Sequence, residues 1–213
     1  MLILTTRRTR PDPAVIKQAL AVLMAGGVVA YPTDTAYGLA VDATNEEAIG
    51  KLFIMKHRPQ KPLPVLVSGA RMAAQYATID AVAKPFLKQY WPGAVTFILP
   101  SKKVLPIALT LHFTGVGLRH ADQPVAQALV RGLNKPITST SANISGKGVF
   151  YSGQEVARHF EQQPMQPDLI IDVGDIPEEP PSTIVDLTSQ PPKVFRQGSV
   201  QVTIGGKAKS RKR

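Results

Sequence analysis

Four polar clusters in this 213-residue sequence have residue types and spacings that could do chemistry. The first is Tyr31-Pro32-Thr33-Asp34-Thr35-Ala36-Tyr37-Gly38-Leu39, directly after the apolar run 28–31. A polar turn leaving a buried strand is where α/β proteins place ligands. The second is Lys56-His57-Arg58-Pro59-Gln60-Lys61-Pro62. Pro59 biases the residue before it towards extended backbone, where side chains two apart point the same way. Lys56 and Arg58 would then converge, a point charge beside a bidentate fork, and such a pair suits a triphosphate. The third is Ser139-Thr140-Ser141-Ala142-Asn143-Ile144-Ser145-Gly146. Its small polar side chains and backbone N–H groups could cradle phosphate or ribose oxygens. The fourth is a pair of arginines in apolar segments, Arg119 after Val116-Gly117-Leu118 and Arg196 after Val194-Phe195. An arginine pointing inward from such a segment needs an anionic partner. Each cluster also has a plain structural reading: ordinary turn formers, cations matching a helix C-terminal dipole, a Ser/Thr-rich turn, strand-edge arginines facing water.

Other chemistries are excluded. With no cysteine, there is no disulfide, thiolate metal site or cysteine nucleophile. No G-x-x-x-x-G-K-[ST], G-x-G-x-x-G after a strand, or H-E-x-x-H occurs, and the four histidines are scattered, so no metal site is expected. The formal net charge is +10, of which Lys207, Lys209, Arg211, Lys212 and Arg213 supply five; 10 − 5 leaves +5 on the body. That balance suits anionic partners such as nucleotides or RNA, or else a solubilising surface. No apolar run approaches the roughly 18 residues of a membrane helix, and no signal-peptide core is present. Together with the missing disulfides, this points to a cytoplasmic protein that does not enter membranes.

The elements that must position these residues follow from periodicity. Asp12 can cap a helix with Pro13 in its first turn, and Ile16, Ala19, Leu20, Leu23 and Met24 follow at helical spacing until Gly26-Gly27. Helices are predicted over 45–55, with Glu46 and Glu47 at its N-terminal dipole, over 79–90, broken or kinked at Pro85, and around 125–133. Another starts at a Ser152/Glu155 capping box and runs to Phe160. Strands are predicted over 28–31, 63–67, 95–99, 116–119, 136–140, 169–173, 183–187 and 194–196. Alternating early helices and strands argue α/β with a mixed or largely parallel sheet. With no internal repeat or dividing linker, the chain reads as one domain, 1–202, plus a basic, disordered tail, 203–213.

Taken together, the clusters resemble the YrdC-like domain family. The Y-P-T-D-T-x-Y-G-L run, the K-x-R-P, Trp91-Pro92-Gly93-Ala94-Val95-Thr96, the S-T-S-A-N-x-S-G run and Ser182-Thr183-Ile184-Val185-Asp186 occur in the family's order over 14–198. The resemblance implies a twisted open mixed α/β sheet with helices packed around a deep basic cavity. It implies an enzyme, a nucleotidyltransferase that condenses L-threonine, bicarbonate and ATP, with Mg2+, into threonylcarbamoyl-adenylate and pyrophosphate. Downstream proteins would pass the threonylcarbamoyl group to tRNA, and tRNA or double-stranded RNA contact is an expected partner interaction. By the same resemblance Lys56, Arg58, Ser141 and Asn143 form the catalytic and nucleotide set, joined by Lys61 and Arg196 for ATP, while Thr35, Arg119, Ser139 and Ser182 bind threonine. Two positions depart from the family's pattern: Leu66, where many long members carry a histidine, and Gly115, often a hydroxyl residue near the nucleotide. Lacking a second C-terminal domain, the chain resembles the short members. Two other readings stay open, a double-stranded-RNA-binding or ribosome-assembly factor without catalysis and a divergent paralogue with another acyl-adenylate activity.

Overall fold

The computed structural model describes residues 1–58 and 61–204. Pro59, on which the extended reading of the basic run rested, and the tail from residue 205 on lie outside the described residues.

Strand β1 (Leu2–Thr5) forms although most of its residues are exposed, because it pairs in parallel with β9 (Leu169–Asp172). Nothing in the first residues alternates clearly enough to announce it. Helix α1 (Pro13–Met24) starts as expected, with the Asp12 carboxylate accepting the Ala14 N–H at 2.8 Å. Strands β2 (Val29–Pro32) and β3 (Tyr37–Ala40) form a fully buried antiparallel hairpin. The first polar cluster is therefore mostly strand, and its turn is only residues 33–36. Gly38 is required here, since a Cβ would lie 3.0 Å from the Thr140 carbonyl oxygen and 3.3 Å from the Tyr31 ring.

Helix α2 (Glu46–Met55) is capped by Asn45, with Glu46 and Glu47 in its first turn. Strand β4 (Val65–Leu66), helix α3 (Ala70–Tyr76) and helix α4 (Ala83–Tyr90) follow. The predicted 79–90 helix is shorter than expected and runs unbroken from Ala83 to Tyr90. Beginning at Ala83 puts Pro85 in the first turn, where its missing N–H has no intrahelical partner to lose. Strand β5 (Val95–Pro100), the single turn α5 (Ile107–Thr110), β6 (Gly115–Arg119) and α6 (Pro124–Leu133) complete the middle of the chain. The predicted 136–140 strand divides into β7 (Ile137–Thr138) and β8 (Thr140–Ser141). Helix α7 (Gly153–Glu161) carries the predicted Ser152/Glu155 capping box. Strands β10 (Thr183–Asp186) and β11 (Lys193–Arg196) come last.

The strands form two mixed sheets, ordered β1-β9-β2-β3-β8 and β11-β10-β5-β6-β4-β7. The chain crosses from one to the other at Ser139, between β7 and β8. Thr138 stitches the seam: its hydroxyl donates to Leu39 C=O at 3.0 Å and accepts the Val41 N–H at 3.1 Å, and Tyr31 OH donates to its carbonyl at 3.1 Å. One buried apolar cluster runs from Val15 to Leu187, with Val200, Val202 and Ile204 packed against it. The packed body thus reaches at least Ile204, two residues past the predicted boundary. Among the described residues no helix is long and apolar enough to cross a membrane.

Candidate active site

An open cleft of about 700 Å3 draws its walls from both sheets. Seven of the ten predicted site residues line it: Thr35, Arg58, Arg119, Ser139, Ser141, Ser182 and Arg196. They come from six separate stretches of chain, which only the tertiary fold brings together.

Arg119 ends β6, in register with Thr96 on one side and Leu66 on the other. It is only 4% exposed. Its guanidinium is ion-paired with the Asp34 carboxylate and lies 3.4–3.5 Å from Thr35 Oγ1. The second Asp34 oxygen accepts the Asp122 N–H at 3.1 Å, which fixes the carboxylate that fixes the arginine. Asp34 lies within the first polar cluster, but nothing in spacing joins residues 34 and 119. Thr33 and Thr35 share a hydroxyl hydrogen bond at 3.1 Å, so Thr35 is oriented by its own turn.

On the second wall, Ser182 is buried and its hydroxyl meets Thr96 Oγ1 at 3.1 Å. Arg196 grips the Ser182 carbonyl with Nε at 3.1 Å and an Nη at 2.8 Å, leaving its remaining edge to the cleft. Gly198 lets the returning chain cross here, since any Cβ would overlap the Pro181 carbonyl. Burial disfavours the charge on Arg58 and Arg196, and nearby Arg119 adds to the effect at Arg196. The Nε groups of Arg58 and Arg119 are buried without a hydrogen-bond partner among the described residues. Crowded guanidiniums with idle donors favour an anionic occupant. Glu178 and Glu179 also line the cleft, a pair of carboxylates that sequence reasoning passed over in a proline-rich loop.

Lys56, Asn143 and Lys61 are not on the cleft wall. Lys56 does not sit in extended chain, as the spacing argument required. It is the C-cap of α2, followed by His57 in the left-handed region at φ 45°. The His57 N–H donates to Ile54 C=O at 3.0 Å and the Arg58 N–H to Phe53 C=O at 3.1 Å. This is a Schellman closure, which turns Lys56 and Arg58 apart. Lys56, 1% exposed, runs beneath the third cluster, and its Nζ donates to Ser141 C=O at 2.5 Å, Asn143 C=O at 2.6 Å and Asn143 Oδ1 at 3.3 Å. The Lys56 carbonyl in turn accepts the Ser145 N–H at 2.9 Å. Burial, with Arg58 nearby, pushes Lys56 down to about 7, and the three oxygens around Nζ oppose that shift by favouring the ammonium. Ser141 Oγ bonds Asn143 Oδ1 at 2.5 Å, so Lys56, Ser141 and Asn143 form one unit. Lys61 is exposed. Neither departure from the family pattern touches the cleft: Leu66 is fully buried, and a Cβ on Gly115 would meet Ile98 at 2.6 Å.

Two mixed sheets that line one cleft, with Arg58, Arg119 and Arg196 on its wall, define an α/β domain. Residues 21–198 match the family model named for Sua5, YciO and YrdC and described as "Telomere recombination", and the chain belongs to that family. It is 33% identical over 202 residues to the threonylcarbamoyl-AMP synthase of Pyrococcus abyssi, covering 94% of this chain and 58% of that protein. The chain thus spans little more than half the length of this curated relative. The crystal structure of P. abyssi Sua5 complexed with L-threonine superposes with a TM-score of 0.87 at 33% identity, over 93% of this chain and 58% of that one. Escherichia coli YciO matches along its length, at TM-score 0.83 and 30% identity, covering 93% of this chain and 96% of that chain.

Proposed function

We propose that this protein makes threonylcarbamoyl-adenylate from L-threonine, bicarbonate and ATP, releasing pyrophosphate. The observation that carries the reading is the convergence on one cleft of Thr35, Arg119, Ser139 and Ser182 with Arg58, Ser141 and Arg196. The similarity to a threonylcarbamoyl-AMP synthase and to a Sua5 that binds L-threonine supports it.

In this reading Arg119, held by Asp34, takes the threonine carboxylate on its free edge, and the hydroxyls of Thr35, Ser139 and Ser182 orient the rest of the amino acid. The threonine amine attacks the carbon of bicarbonate, water leaves, and a carbamate forms. A carbamate oxygen then attacks the α-phosphorus of ATP, breaking its bond to the bridging oxygen of pyrophosphate. Arg58 and Arg196 neutralise the phosphate charge, the main task in phosphoryl-type transfer. Lys56 and Asn143 act from beneath, by fixing the turn that presents Ser141, and Lys61 reaches the nucleotide from outside the wall. Mg2+ would enter with ATP, where it supplies charge neutralisation on the triphosphate. Such an ion keeps several waters and is held by one or two protein carboxylates, a role that Glu178 and Glu179 on the wall would fill. The product would be consumed by proteins that transfer the threonylcarbamoyl group to tRNA.

Pyrophosphate release from ATP tests the reading. It should require threonine and bicarbonate together and collapse when either is omitted. Release independent of threonine would overturn it.

A further inference from the structure

The turn bearing Ser141 and Asn143 has a support that lies outside the cleft and outside the proposed chemistry. Its neighbour Ile144 donates its backbone N–H to His159 Nε2 at 3.1 Å. His159 projects from α7, and its ring is clamped between Phe150, 4.7 Å away and tilted at 45°, and Phe160, 4.9 Å away and edge-on at 88°. Residues 141–145 are thus held by two groups. Lys56 takes the carbonyls of Ser141 and Asn143 and the N–H of Ser145, and His159 takes the N–H of Ile144. We propose that His159 is a positioning residue for the Ser141–Asn143 turn, working as a neutral imidazole that accepts the Ile144 N–H. Its effect on catalysis rests on the proposed function; its contact with the turn does not.

The two supports have opposite proton requirements. Lys56 grips carbonyls as an ammonium, whereas His159 accepts only when Nε2 is bare and the proton sits on Nδ1. Protonating His159 would set a donor against the Ile144 donor and add a second cation beside Lys56. The surroundings resist this. Burial lowers the His159 pKa below 6.5, and the charges of Lys56 and Lys147 lower it further. Among the described residues no carboxylate hydrogen-bonds or ion-pairs with the ring. Glu155 on the same helix is taken by the N–H groups of Tyr151 and Ser152. Asp172 of β9 is taken by Tyr37, Gly153 and Gly174, and Arg158 bonds along its own helix to Gln154. With the folded pKa depressed, the contact is intact above 6.5 and is lost as pH falls through the lower folded value.

The experiment compares the wild type with H159Q and H159L. It follows pyrophosphate release from about pH 5 to about pH 8, and the 15N-resolved amide shifts of Asn143 and Ile144 over that range. The wild type should lose kcat on an acid limb below pH 6.5, with the Ile144 amide moving on the same curve. H159Q, which can keep an acceptor near Nε2, should lose the limb and the amide titration and retain most of the rate. H159L, with no acceptor, should show no acid limb and run roughly tenfold below the wild-type kcat at neutral pH, with little change in the threonine KM. An Ile144 amide that ignores pH in the wild type, an acid limb surviving in H159Q, or a normal kcat in H159L would each overturn the proposal. A wild type releasing no pyrophosphate at any pH would defeat the proposed function, while the Ile144 titration would still decide whether His159 holds the turn.

Discussion

Lys56 and Arg58 stand two residues apart and do separate work. Arg58 is half-buried on the cleft wall, and among the described residues its side chain makes one hydrogen bond, a 3.4 Å donation to Pro62 C=O. Arg58→Ala should therefore lower threonine-dependent pyrophosphate release about tenfold while leaving the melting temperature almost unchanged. Lys56→Ala should lower both. It strands the carbonyls of Ser141 and Asn143, a cost of about 1–3 kcal/mol, which is roughly 2–12 °C in melting temperature for a domain of this size. Equal melting temperatures for the two variants would show that Lys56 is not a structural support. The Asp34–Arg119 pair calls for a different test. Asp34→Asn leaves a buried guanidinium without its counter-charge, costing about 3–5 kcal/mol. A bound threonine carboxylate should restore part of that, so threonine should raise the melting temperature of D34N more than that of the wild type. An equal or smaller rise would mean that threonine does not meet Arg119.

At the level of elements, the site depends on short pieces in close register. Strand β8 is two residues long and pairs Ser141 with Gly38 and Thr140 with Leu39 of β3. It holds its place because Gly38 presents no side chain to the Thr140 carbonyl. Gly38→Ala should push β8 away, destabilising the protein by about 1–3 kcal/mol and lowering pyrophosphate release further than unfolding explains. Urea unfolding and a rate measured well below the unfolding midpoint separate the two effects; an unchanged rate per folded molecule would show that β8 need not sit in this register. The Schellman closure of α2 illustrates the same dependence. It sends Lys56 under the turn and Arg58 to the cleft, a division that no side-chain spacing could express.

For the molecule as a whole, the last described residues belong to the body. Val200, Val202 and Ile204 pack on the core, Val200 C=O accepts from the Thr183 hydroxyl at 2.5 Å, and the Thr203 N–H donates to Tyr90 Oη at 3.2 Å. A chain ending at Ile204 should keep the stability and adenylate synthesis of the full chain, while one ending at Gly198 should lose stability measurably by thermal unfolding. Truncation at Ile204 removes five basic residues. If they contact RNA, the slope of log K against log salt should shrink by roughly 0.7–0.9 for each phosphate contact removed. An unchanged slope would assign any RNA binding to the body.

The sequence by itself determined the element types with strong local causes. Asp12-Pro13, Asn45-Glu46-Glu47 and Ser152/Glu155 announce helix starts through their own side chains, and the apolar runs at 95–99 and 169–173 announce buried strands. It also supplied the ordered motifs from which seven residues of the cleft could be named. The tertiary structure decided where those residues stand and what they touch. Local rules placed Lys56 and Arg58 side by side because Pro59 was the nearest influence in view, whereas the closure of α2 turns them apart. The division of 136–140 into β7 and β8, the partnership of Asp34 with Arg119 and the reach of His159 to Ile144 all arise between segments distant in sequence. Periodicity reports the environment of one element at a time; a seam between two sheets, and the cleft beside it, exists only where several elements meet.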